Sequence, residues 1–154
     1  MKFLKPEIFY SEKDNDNPNA MNQARQDYLE YLLSIRNQIS KKLLEVYKQT
    51  DRFHDFQINE LIYNSNDKRN DYILMHLDCY EVKLLVKFHR IFRFEIKHGI
   101  DKKDYKYWGG GFDDIVLCEI RYEEKLNVFE AHTANGADII IGFSKFTVIQ
   151  QTQN

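Results

Sequence analysis

The sequence predicts an α+β domain in which a long N-terminal helix packs on a twisted antiparallel β-sheet, a meander of roughly five to seven strands. Two observations carry this prediction. From about residue 20 to 49, apolar residues recur at three- and four-residue steps, which is the period of an amphipathic helix. After Asp51 apolar and polar residues alternate singly, which is the period of a strand with one buried face.

The composition limits the class of protein. The chain has 154 residues, of which 43% are hydrophobic and 30% charged, which fits one globular domain over residues 1–154. The formal net charge of -2 provides no overall field for nucleic acid or an anionic membrane, so we expect neither as a partner. Cys79 and Cys118 are far apart and are expected to be reduced. With no secretory signal at the N-terminus, they predict a cytoplasmic protein.

The helical region is predicted as one helix over residues 20–49, preceded by an N-terminal segment and polar loop over residues 1–19. A coiled-coil seam is the alternative interpretation, but the pattern is short for one, so a core face lying on the sheet is favoured. The apolar stripe consists of Met21, Ala24, Tyr28, Tyr31, Leu32, Ile35, Ile39, Leu43 and Val46.

The strands are predicted within residues 53–149. Phe56, Ile58 and Ile62 alternate with polar neighbours, and Ile73, Met75 and Leu77 do the same further on. A longer row of one parity would form an unusually long strand, so we expect a turn or bulge near His89-Arg90. That row consists of Val82, Leu84, Val86, Phe88, Phe92, Phe94 and Ile96, and we expect its phenylalanines to lie in the core.

The C-terminal part reads as further antiparallel strands. Residues 123–125 are expected to turn the chain, and Asn135-Gly136 predicts a hairpin turn whose two central residues both have positive φ. Residues 139–141 are three successive isoleucines, which indicates a strand covered on both faces. Residues 150–154 are predicted to be a polar tail.

Several residues carry the chemistry of catalytic or metal sites without a pattern that favours it. His54-Asp55 suits general-base chemistry, and Cys118 with His132 suits a nucleophile and its base. His76 and Cys79 would face opposite sides of a strand, which disfavours a metal pair. Gly109–Gly111 leads into a strand rather than a helix, which disfavours a phosphate loop. Structural roles are favoured throughout, so no catalytic residue, metal or cofactor is predicted. A small hydrolase-type enzyme is the alternative, and it would require at least two of His54, Asp55, Cys118 and His132 to converge in a cleft.

The connection over residues 98–114 is the strongest candidate for binding a protein partner. Long connections without secondary structure are often functional, and aromatic residues flanked by charge are typical of binding hot spots. The alternative is that the aromatic residues cover a sheet edge. The candidate partner-binding residues are Asp101, Asp104, Tyr105, Tyr107, Trp108, Phe112, Asp113 and Asp114.

A row of cations on one predicted strand is a weaker candidate for binding phosphate. Lys87, His89, Arg93 and Lys97 share a face, although Glu95 lies beside them. A solvated sheet face is the favoured interpretation, and a small-ligand or nucleic-acid site is the alternative.

Three segments resemble an uncharacterised family of small bacterial cytoplasmic proteins: the opening residues 1–7, the Phe53-His54-Asp55 junction, and the strands over residues 118–148 with their Asn135-Gly136 turn. The resemblance implies an α+β fold and no activity. In size, near-neutral charge and lack of catalytic motifs the chain is also similar to immunity proteins of bacterial toxin systems. That similarity implies a non-enzymatic module that binds and neutralises a toxin domain.

Overall fold

The computed structural model describes residues 1–8, 19–65, 70–80, 82–98 and 112–153. Among the elements whose bounds are described, two α-helices precede a 3₁₀ turn at Asp51–Phe53 and an antiparallel sheet. The helices are α1 (Ala20–Ile35) and α2 (Lys41–Gln49). The strands are β1 (Gln57–Asn64), β2 (Tyr72–Cys79), β3 (Val82–His98), β4 (Ile115–Glu123), β5 (Leu126–Thr133) and β6 (Ala137–Gln153).

The sheet has six strands in the order β1-β2-β3-β6-β5-β4, so two three-strand meanders are joined through the long strands β3 and β6. The first residues of the two outer strands meet, because Gln57 bridges Asp114 and the Ile115 N–H donates to Phe56 O at 2.9 Å. The sheet is therefore curled until its edges touch at one end. The α+β class and the antiparallel sheet are confirmed.

The prediction of one long helix over residues 20–49 is wrong. α1 ends at Ile35, and α2 begins after Ser40, whose side-chain oxygen accepts from the Leu43 N–H at 3.4 Å. The Ser40 N–H in turn donates to Asn127 Oδ1 at 3.2 Å, and this hydrogen bond fixes the break between the two helices against β5. The apolar stripe crosses the break unchanged, since Ile35 and Ile39 are both buried, and for that reason periodicity alone could not reveal it.

β3 is interrupted by a bulge near Arg90, as expected for such a long strand. Arg90 has φ 53° and the pairing with β6 shifts between Ile91 and Arg93. Phe88, before the bulge, is fully buried. Phe92, after it, is 60% exposed, so its predicted place in the core is wrong, whereas Phe94 is partly buried and packs against the core. A similar shift between Ile58 and Glu60 turns Ile62 outwards in β1.

The hairpin between β5 and β6 is confirmed, but its turn type differs from the prediction. Of its residues only Gly136 has positive φ, at 78°, and its N–H donates to Thr133 O at 2.9 Å. The predicted polar tail is wrong, because β6 continues to Gln153 and pairs there with Val82. Backbone pairing does not require apolar side chains, so composition could not show it. Residues 139–141 are all buried, as predicted.

The turn between β4 and β5 carries backbone strain that can be relieved. Glu124 and Lys125 both adopt the left-handed conformation, with φ 51° and 67°, at the predicted turn. A two-residue hairpin turn of this kind favours Asn or Gly, because other side chains meet the following carbonyl. We expect Lys125→Gly to raise the free energy of unfolding by about 0.5–1 kcal/mol, measured by urea denaturation. Gly136→Ala is the control with the opposite expected sign: it lowers the free energy of unfolding, because alanine is unfavourable at a positive φ. A lower midpoint for Lys125→Gly would contradict this account.

Three tyrosine hydroxyls cover the free edge of β4. Tyr47 donates to Cys118 O at 2.6 Å, and Tyr28 and Tyr31 contact the backbones of Ile120 and Tyr122. The three contacted residues are spaced by two along the strand, because only alternate residues of an edge strand point their N–H and C=O groups outwards. An uncovered edge would be a template for pairing with another chain, so the helices protect this edge.

A buried charge network fixes the first residues against β4 and β5. Both carboxylates of Glu119 and Glu130 contact Arg121, and all three side chains are buried. Glu119 also accepts from the backbone N–H groups of residues 2–4, and Glu130 lies 2.5 Å from the α-amino group of Met1. Burial alone would raise the pKa of Glu130, but hydrogen bonds from Met1 and Arg121 outweigh it and lower that pKa.

Candidate functional site

An apolar groove lies between the outer faces of α1 and α2. Leu29 and Leu33 of α1 are 48% and 63% exposed, and Leu32 and Leu44 beside them are partly buried. Together with Tyr47 they line a cavity of about 560 Å³, which we call the leucine groove. Exposed apolar side chains that gather in one concave surface are typical of binding sites, whereas scattered ones are ordinary.

The leucine groove lies on a second apolar face of α1. Its residues Gln26, Leu29, Leu33 and Arg36 follow one another at steps of three and four, so they share one side of the helix. The face buried on the sheet is a different one, formed by Met21, Ala24, Tyr28 and Ile35. Leu29 and Leu33 are therefore free to contact something other than the core of this domain.

The rim of the leucine groove is mainly positive. Arg36, Lys48 and Arg52 lie around it, and Asp51 is the acidic residue beside them. Asp51 is engaged by Arg52, with Nη2 and Oδ1 3.4 Å apart. Arg36 and Lys48 have no ion-pair partner among the residues that the structure describes. The rim thus leaves two cations available to a ligand.

A strained turn places Arg52 at the end of the leucine groove. Asp51, Arg52, Phe53 and Asp55 all have positive φ, between 43° and 64°. Phe53 holds this turn in place, because its ring is fully buried and packs edge-on against Phe129 at 5.7 Å between centroids. Unfavourable backbone conformations of this kind persist where the surroundings fix them and are frequent at functional sites.

The predicted partner-binding connection is described only at its end. Asp101, Asp104, Tyr105, Tyr107 and Trp108 lie outside the described residues. Phe112 is partly buried and packs against the core. Asp114 is largely exposed, but partial loss of hydration and the neighbouring carboxylates of Asp113 and Asp55 raise its pKa. The role of this connection in binding stays a prediction.

His54 and Asp55 form a pair in a second cavity, of about 920 Å³, between α2 and the start of β1. The His54 Nδ1 and Asp55 Oδ1 atoms are 2.9 Å apart, so the two neighbours do converge. Cys79 also lines this cavity, but burial and the carboxylates of Asp55 and Asp114 raise its pKa. A thiol with a raised pKa is a poor nucleophile at neutral pH, so the cavity lacks an activated cysteine.

The candidate pair Cys118 and His132 is not assembled. Cys118 stands opposite Ala131 and Leu117 opposite His132, so the two side chains point to opposite faces of the sheet. His132 instead contacts Asp138, with Nδ1 and Oδ1 2.7 Å apart. Cys118 is buried, and burial raises its pKa well above the usual value. This outcome contradicts the interpretation of Cys118 as a nucleophile with His132 as its base.

Over the described ranges, no group of three or more His, Cys, Asp or Glu side chains is arranged to hold a metal ion. His76 lies 3.7 Å from Glu60, between Nε2 and Oε2. None of the described helices is long and apolar enough to cross a membrane.

Sequence analysis missed the leucine groove, although the sequence contains a signal for it. Leu29 and Leu33 are four residues apart and lie outside the core stripe of the predicted helix. An apolar pair at that spacing, off the buried face, marks a second helix surface. Leu44 carries the same signal in α2. The groove itself could not be predicted, because it forms only where the break after Ile35 lets α1 and α2 line one cavity together.

Comparison of the chain with protein-family models and with curated protein sequences gave no match to either.

Proposed function

We propose that the protein is a non-enzymatic protein-binding module whose leucine groove receives an amphipathic helix of a partner, with an apolar face and acidic flanking residues. The observation that carries the proposal is the pair of exposed leucines, Leu29 and Leu33, within one concave surface. A helix laid into an apolar groove buries residues at three- and four-residue steps, and the groove offers leucines at that spacing.

The charges of the rim support an acidic partner rather than a basic one. Arg36 and Lys48 flank the groove without an ion-pair partner among the described residues, and Arg52 is the third cation. Opposite charges at the rim of an interface accelerate association and fix orientation, and like charges there are unfavourable. Glu and Asp residues beside the apolar stripe of a helix would meet these cations.

A toxin domain is the partner that fits the similarity to immunity proteins, and the encounter would take place in the cytoplasm. The free thiols of Cys79 and Cys118 support that location. The aromatic and acidic residues of the connection over 98–114 stay candidates for contacting the same partner.

Two synthetic helical peptides with the same leucine stripe test the proposal. One carries Glu at the flanking positions and the other carries Lys. We expect the Glu peptide to bind the protein about tenfold more tightly in a fluorescence anisotropy titration, because only its flanks complement the rim. The charge-reversed variant Arg36→Glu/Lys48→Glu should reverse the preference.

Equal binding of both peptides, or of neither, would contradict the proposal. A second copy of this chain is the other occupant to consider. If size-exclusion chromatography with light scattering shows a dimer that Leu33→Asp converts to a monomer, the groove is a self-association surface and the proposal fails.

A further inference from the structure

A basic pocket lies on the sheet, at the bend of β3. It has a volume of about 520 Å³, within the usual range for small-molecule sites, and is lined by residues of β2, β3, β6 and the turn before β2. Four of its residues carry or can carry positive charge: Lys87, His89, Arg90 and Lys145. We call it the bend pocket.

The bend pocket contains only two of the four cations that the sequence places on one face of β3. Arg93 and Lys97 both contact the carboxylate of Glu95, at 2.6 and 3.3 Å, and lie outside the bend pocket. Lys87 and His89 remain inside it and are joined by Arg90 and Lys145. The pocket therefore collects its cations from both long strands.

The cations of the bend pocket are not neutralised within the protein. Lys87, Arg90 and Lys145 have no ion-pair partner among the described residues. Asp71, the carboxylate that lines the pocket, is buried and accepts from the Ile91 N–H at 3.1 Å. Its backbone oxygen accepts from the Arg90 N–H at 2.9 Å. Asp71 thus holds the bend rather than pairing with a cation.

The walls of the bend pocket are held by contacts made before any ligand arrives. The Lys87 Nζ atom lies 3.7 Å from the centre of the Tyr72 ring, and the Tyr72 hydroxyl accepts from Asn64 at 3.0 Å. His89 Nε2 is 2.9 Å from Thr147 Oγ1. Contacts that order side chains in advance lower the entropy cost of binding.

From this arrangement we infer that the bend pocket binds the phosphate group of a small phosphorylated molecule. Three unpaired cations around one concavity match a group with two negative charges and several acceptor oxygens. The volume leaves room for an organic portion beyond the phosphate. This site lies on the sheet, is independent of the leucine groove, and does not rest on the proposed function.

The inference also predicts a pH dependence through His89. Burial, with Lys87 and Lys145 nearby, lowers the pKa of this histidine, so its ring is neutral at pH 7. A bound phosphate would favour the protonated ring, and the affinity should therefore increase as the pH falls through that pKa. The charged or titratable groups facing His89 in the pocket are Asp71, Tyr72, Lys87, Arg90 and Lys145.

Isothermal titration calorimetry with inorganic pyrophosphate as the probe tests the inference. We expect Lys145→Gln and Arg90→Gln each to weaken binding about tenfold, because each removes one charged donor. Arg93→Gln is the matched control, on the same strand but outside the pocket, and should leave the affinity unchanged. The His89→Gln variant shows the pH dependence of the probe alone, and relative to it the wild-type protein should gain affinity as the pH falls through the lowered pKa of His89.

Absence of heat with 10 mM pyrophosphate (roughly a hundred times a weak micromolar Kd) would overturn the inference. If Arg93→Gln weakens pyrophosphate binding as much as the pocket variants do, the inference is also overturned, because binding would then depend on general surface charge. If a 12-nucleotide DNA competes far better than pyrophosphate at equal phosphate concentration (about twelve phosphates per strand), the surface is a nucleic-acid site and the inference is wrong.

Discussion

Arg121→Met will lower the free energy of unfolding by about 3–5 kcal/mol, the largest loss that we expect from a single substitution outside the apolar core. Methionine has a similar length but no charge, so the buried carboxylates of Glu119 and Glu130 lose the cation they share. A buried carboxylate without a partner is far more costly than a missing surface ion pair. Urea denaturation followed by circular dichroism measures the loss.

Lys42→Met is the matched control for Arg121→Met. It removes an ion pair of similar length, 3.2 Å to Glu45, in which both side chains are about half exposed. We expect a loss below about 0.5 kcal/mol, because water and salt screen exposed pairs. Equal effects of the two substitutions would contradict the buried network.

The loss in free energy of unfolding caused by Arg121→Met should also depend on pH in a defined direction. In the wild-type protein the folded-state pKa of Glu130 is lowered, so the stability it contributes is present above its unfolded pKa and is lost as pH falls through the lowered value. Without Arg121 the buried carboxylate of Glu130 binds a proton more readily in the folded state. The difference between the two proteins should therefore narrow between neutral pH and about pH 4.

The double substitution Leu29→Ser/Leu33→Ser will weaken binding of the acidic helical peptide by about a hundredfold, with little change in stability. Each leucine that leaves the interface forfeits apolar burial of about 1.5 kcal/mol or more, which is roughly tenfold in affinity. Both side chains are already substantially exposed in the free protein, so the core does not depend on them. Anisotropy titrations and urea denaturation separate the two effects.

Phe92→Ser/Ile149→Ser provides the control for the groove substitutions. These two apolar side chains are as exposed as the groove leucines, at 60% and 53%, but lie on the sheet. They should leave peptide binding unchanged. A similar loss of binding from the sheet variant would mean that the peptide recognises exposed apolar area in general.

The elements predicted well from sequence are those in which a local signal and the tertiary structure agree. Ile73, Met75 and Leu77 alternate in the sequence and are all buried, because β2 runs straight between two neighbours. The Asn135-Gly136 hairpin follows from a residue that needs positive φ. In these places no distant contact changes the periodicity.

The wrong predictions of burial arise where one backbone irregularity, or one distant contact, changes which side chains are buried. The bulge at Arg90 was expected. The alternation of residues within the strand does not show, however, that one extra residue turns the side chain of Phe92 towards solvent. Glu119, Arg121 and Glu130 received no role from sequence analysis, because charged residues are usually exposed. Their burial depends on the first residues covering them, a contact across more than a hundred positions of the chain.

Photo-crosslinking from position 33 is the most direct test of the central claim, that the leucine groove receives an acidic amphipathic helix of another protein. A benzophenone amino acid would replace Leu33 in one protein and Ile149 in the control, each expressed in the cells that make the natural chain. We predict one crosslinked protein from position 33 and none from position 149. Mass spectrometry should place the link in a helix with an apolar face and acidic flanks, and Arg36→Glu/Lys48→Glu should abolish it. Crosslinking only to a second copy of this chain, or to a segment without those features, would contradict the claim.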